Sequence, residues 1–75
     1  MVTVMLDAAT LRQLDAEQFE IFINSIGVNM LTAKRGPEGW VVTARTDSGA
    51  VHREVKPEFL DAVAGVLNTV QGHIQ

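Results

Sequence analysis

The last stretch of the chain leaves the least freedom. Val55, Phe59, Leu60, Val63, Val66, Leu67, Val70 and Ile74 recur at the spacing of one helix face. This predicts a helix over residues 57–74. Pro57 is expected in its first turn, where the missing N–H has no intrahelical partner to lose. Glu58 and Asp61 would follow at the positive end of the helix dipole. Asp61, Asn68, Thr69, Gln71 and Gly72 fall on the opposite side and are expected to be wet. An apolar stripe of this length must be covered, so the residues before it have to supply a surface.

Those residues carry the marks of a three-stranded meander. Val28 to Arg35 alternates and runs into Gly36-Pro37-Glu38-Gly39, a turn signal. Trp40 to Thr46 is rich in β-branched and aromatic residues and is expected to be the central strand. Asp47-Ser48-Gly49-Ala50 makes a second turn, and Val51 to Val55 alternates as a third strand. A four-residue turn would pair Thr46 with Val51, Val42 with Val55 and Ala44 with Arg53. Trp40, Val42, Val51 and Val55 would then share the face that the helices cover. Val41, Thr43, Arg45, His52 and Glu54 would lie on the outer face. A one-residue shift would instead pair Val41 with Val55 and is expected to turn Trp40 outward.

Before the meander, Asp7 can cap a turn or two from Ala8 to Leu14. Asp15 followed by Gln18 has capping-box spacing. Phe19, Phe22, Ile23 and Ile26 then form a stripe that Gly27 closes as a left-handed residue. Two caps within eight residues favour a break near Leu14, although one helix over 8–26 stays open. Met1 to Leu6 is apolar, and Val2 and Val4 suit a short strand. The expectation is an α+β fold: helix, three-stranded antiparallel meander, helix, with both helices on one face of the sheet. At 75 residues it is a single domain, 1–75.

Composition bounds the chemistry. With no cysteine, disulfides, thiolate metal sites and cysteine nucleophiles are out. A secreted domain of this size is usually stapled by disulfides, so the expectation is a cytoplasmic protein. No apolar run reaches the ~20 residues of a membrane helix, and Met1–Leu6 lacks the basic start of a signal peptide. The glycines form no phosphate-cradling loop. His52 and His73 stand in no metal-binding spacing, and Ser25 and Ser48 lack a nucleophile context. No cofactor, no small-molecule substrate and no catalysis are expected.

The apolar fraction is 47%. A chain this short buries only ~60% of its unfolded surface, so some apolar residues are left for a partner or a second copy, and a homodimer is expected. Charge is unevenly spread around a net of −3. Asp7, Asp15, Glu17 and Glu20 make the beginning acidic. Lys34, Arg35, Arg45, Arg53 and Lys56 make the middle basic. Two surfaces are therefore candidates for a protein partner. One is the outer sheet face around Val41, Arg45 and His52. The other is the acidic helix face of Asp15, Glu17 and Glu20. The functional expectation is a small acidic protein-binding module, an adaptor or inhibitor of a larger machine, a type that suits phage or viral accessory proteins.

The element order over residues 16–71, with Gly36-Pro37-Glu38-Gly39 leading into an aromatic strand, resembles the double-stranded RNA-binding domain. The resemblance implies a weak nucleic-acid function as the alternative, with Arg35, Arg45, Arg53 and Lys56 as contacts. Gly39 stands where that family's loop carries a groove-contacting histidine. Lys56-Pro57-Glu58 stands where it carries a lysine cluster. Without such a cluster phosphate contacts are few, so nucleic acid is the less favoured partner.

Overall fold

The computed structural model describes residues 5–73 of the chain. Six elements follow one another: α1 (Ala8–Arg12), α2 (Ala16–Ser25), β1 (Val28–Gly36), β2 (Gly39–Thr46), β3 (Val51–Lys56) and α3 (Phe59–His73). The strands form an antiparallel sheet in the order β1-β2-β3, giving an α+β fold. A strand at Val2–Val4 lies outside the described residues.

Local chemistry sets the helix boundaries. Asp7 Oδ1 accepts from the Thr10 N–H at 2.8 Å and starts α1. Asp15 and Gln18 form the full capping box, with Gln18 N–H donating to Asp15 Oδ1 and Asp15 N–H to Gln18 Oε1. Two caps so close together break the chain into two helices between Arg12 and Ala16. Gly27, at φ 81°, ends α2. Its left-handed backbone is cheap only for glycine.

The helix α3 starts at Phe59, later than the periodicity predicts. The first bond of the helix is donated by the Ala62 N–H to the Glu58 C=O at 3.1 Å. Pro57 thus precedes the helix instead of occupying its first turn. The burial of α3 also differs from a one-sided stripe. Ala62, Val63, Ala64, Val66, Leu67, Val70 and Gln71 are all buried. A buried arc that takes in a little over half of the helix circumference has covering from more than one direction. The sheet strands β2 and β3 lie against one side, and α1 packs against another. Gln71 is therefore buried rather than wet, and Asn68 is half-buried, bonded to Leu6.

The meander register is the one-residue shift. Val41 pairs with Val55, Thr43 with Arg53 and Arg45 with Val51. The reason is the loop: five residues, not four, separate Arg45 from Val51. Thr46 leaves the β3 ladder, its N–H donating to Ala50 C=O at 2.9 Å, while the Gly49 N–H donates back to Thr46 C=O. Gly49, at φ 92°, turns the chain.

Directly opposed residues share a sheet face. The covered face therefore holds the rows Leu31–Ala44–His52, Ala33–Val42–Glu54 and Arg35–Trp40–Lys56. Val42 and Ala44 at its centre are fully buried. Trp40 stays on this face, contrary to the expectation for this register. It meets Phe59 edge-on at 5.1 Å, and the Arg35 guanidinium sits 5.9 Å from its ring. Leu31 lines a groove with Phe19 of α2 and Leu60 and Val63 of α3, so side chains of both helices reach this face.

Candidate functional site

The register decides what the other face shows. Its rows are Met30–Arg45–Val51, Thr32–Thr43–Arg53 and Lys34–Val41–Val55. Each row has one cation, and none of the nine side chains is acidic. Met30 is 46% exposed, Val51 62% and Val55 39%. Arg45, Arg53, Lys34 and Thr32 are exposed as well, while Val41 and Thr43 on the central strand are half-buried by their neighbours. An apolar surface studded with three cations stands out in a chain whose net charge is −3.

Of the residues expected on this face, Val41 and Arg45 are there. His52 is not. It lies on the covered face opposite Ala44, with Nε2 out of solvent. The same shift moves Glu54 under α3. A Cβ placed on Gly65 would come within 2.7 Å of Glu54 Cγ, so the missing side chain at Gly65 makes room for the carboxylate stem. Glu54 also reaches Lys56 at 3.9 Å, a distance at which a part-exposed pair contributes little.

Sequence reasoning missed Val51, Val55 and Arg53 as outer-face residues. A usable signal was present in Gly65. Glycine within a helix loses about 1 kcal/mol relative to alanine, a loss that room for a neighbouring side chain can offset, as it does at Gly65 and not at Gly72. The approach to Gly65 requires Glu54, and so His52, to point inward.

The acidic candidates sit together at α2 but do different work. Asp15 is the N-cap, its carboxylate engaged by Gln18. Glu17 and Glu20 are exposed. The carboxylate of Asp7 lies below its ordinary pKa, because the Thr10 backbone N–H and hydroxyl hydrogen-bond to it.

The described residues also line concavities. A broad cleft of about 500 Å³ lies between the end of α2 and the β2–β3 loop, lined by Ser25, Asp47, Ser48 and His52 among others. Its hydroxyls serve the local backbone and each other: Ser25 Oγ donates to Phe22 C=O at 2.7 Å, and Ser48 Oγ pairs with Thr46 Oγ1 at 2.9 Å. The second is the apolar groove of about 260 Å³ around Phe19, Leu31, Phe59 and Leu60. Among the described residues, no three His, Asp or Glu side chains gather as they would around a metal ion. Among the same residues, no helix is long and apolar enough to cross a membrane.

The four cations named for nucleic acid do not form one patch. Arg45 and Arg53 are on the open face, and Arg35 and Lys56 are on the covered one. No family model, curated protein or solved structure matches the chain. The likeness to the double-stranded RNA-binding domain thus rests on element order alone, and topology does not carry function.

Proposed function

We propose that the chain is a small, non-catalytic protein-interaction module of the cytoplasm that acts by stoichiometric binding, as an adaptor or as an inhibitor of a larger assembly. One observation carries the reading: the open sheet face, with three exposed apolar side chains and three cations that no acid on that face offsets. Exposed apolar residues grouped together mark interaction surfaces. The cations select a partner whose surface is acidic around an apolar centre and steer the encounter with it.

The test is capture from source-cell lysate, with nuclease, comparing the wild type with Arg45→Glu/Arg53→Glu. Both arginines are exposed, so the variant is expected to keep the wild-type melting temperature. A protein held by the wild type through nuclease treatment and lost from the variant is the expected result. Equal retention by both overturns the reading. Loss on nuclease treatment replaces it with nucleic-acid binding.

A further inference from the structure

The outer side of α2 mirrors the open sheet face in charge. Glu17, Glu20, Ile21 and Asn24 recur at i, i+3, i+4 and i+7, all exposed, with Ile21 at 61%. Phe19, Phe22, Ile23 and Ile26, which pack toward the core, occupy the other side. So α2 presents an apolar residue, Ile21, beside two carboxylates, and the sheet presents Met30, Val51 and Val55 among Lys34, Arg45 and Arg53. The sizes agree. Ten helical residues span ~15 Å, and three strands span ~10 Å between the outer two.

We propose that the open sheet face of one copy receives α2 of a second copy. The proposal rests on the interaction reading above and names its partner. Sheet face against sheet face would oppose cations to cations, and α2 against α2 would oppose carboxylates to carboxylates. Only the crossed pairing brings opposite charges together and covers Ile21 along with the valines. The two patches differ, so the contact is head-to-tail. Each pair keeps one open sheet face and one open α2, and association continues into a ring or an open chain.

Charge swapping tests this by sedimentation velocity. The wild type associates as its concentration rises, and salt weakens the association because the charges are exposed. Arg45→Glu/Arg53→Glu alone is monomeric, and so is Glu17→Lys/Glu20→Lys alone, because each then carries two patches of the same net sign. Mixed one to one, the two variants associate again. A wild type that stays monomeric, or a mixture that does not associate, overturns the head-to-tail contact. The capture comparison above separately decides whether the sheet face binds protein at all.

Discussion

The side-chain amide of Asn68 closes both backbone hydrogen bonds of Leu6. The Leu6 N–H donates to Oδ1 at 2.9 Å, and Nδ2 donates to the Leu6 C=O at 3.0 Å. The amide does for this segment what a neighbouring strand would do, and it holds buried Leu6 against α3. A carboxamide offers donor and acceptor side by side without a charge at neutral pH.

Asn68→Ala removes both partners from a half-buried backbone and is expected to lose about 2 kcal/mol in urea unfolding. Asn68→Asp keeps the acceptor but aims a negative oxygen at the Leu6 carbonyl. Folding then raises the carboxyl pKa, so the protonated acid is the stabilised form. The deficit of Asn68→Asp is present at neutral pH, shrinks as pH falls from the raised folded pKa toward the ordinary carboxylate range, and levels off below that range. A deficit independent of pH would show that the amide does not face that carbonyl.

Gly65 and Glu54 make a sign test. Alanine is the better helix former by about 1 kcal/mol, yet its Cβ would crowd Glu54 Cγ. Gly65→Ala is expected to destabilise the wild type and to stabilise a Glu54→Ala background. Four melting curves complete the cycle.

Leu67 and Phe59 lie on the same helix at different depths. Leu67 is fully buried, and Leu67→Ala is expected to lose roughly 2–5 kcal/mol, enough to unfold much of a domain near the low end of ordinary stability. Phe59 is 41% exposed. Phe59→Ala should lose less and should shift the Trp40 fluorescence maximum, because the ring edge is gone.

Asp7 gives α1 an acid-sensitive start. Its folded pKa is depressed, so the cap's contribution is complete above the unfolded value and disappears as pH falls through the folded one. The Thr10 amide resonance should titrate with a midpoint below that of a free aspartate. Asp7→Asn keeps a capping oxygen and should abolish that titration.

Elements whose signals are local were legible from the residues. Asp15 with Gln18 announces a helix start, Gly27 its end, and Gly36-Pro37-Glu38-Gly39 a hairpin. The register was not legible, because Asp47-Ser48-Gly49-Ala50 marks a turn without saying whether Thr46 belongs to the ladder. That single residue exchanged Val51 and Val55 for His52 and Glu54 on the covered face, and His52 left the candidate site with them. The burial of Asn68 and Gln71 was hidden for another reason. Periodicity finds one apolar side, while α3 is covered on a second side by a segment that meets it through a polar side chain.

The covering of α3 on two sides has a consequence for biosynthesis. Everything it packs against, from Leu6 to Lys56, leaves the ribosome before it does. Until α3 follows, Val42 and Ala44 have no helix above them, and Leu6 has no amide to bind. The hairpins can close early because their contacts are near in sequence, whereas the Leu6–Asn68 contact spans 62 positions and has to wait for loop closure. In the interval between the emergence of β3 and that of α3, the sheet face at Val42 and Ala44 is wet except where α2 reaches Leu31, a form prone to edge pairing and to chaperone capture.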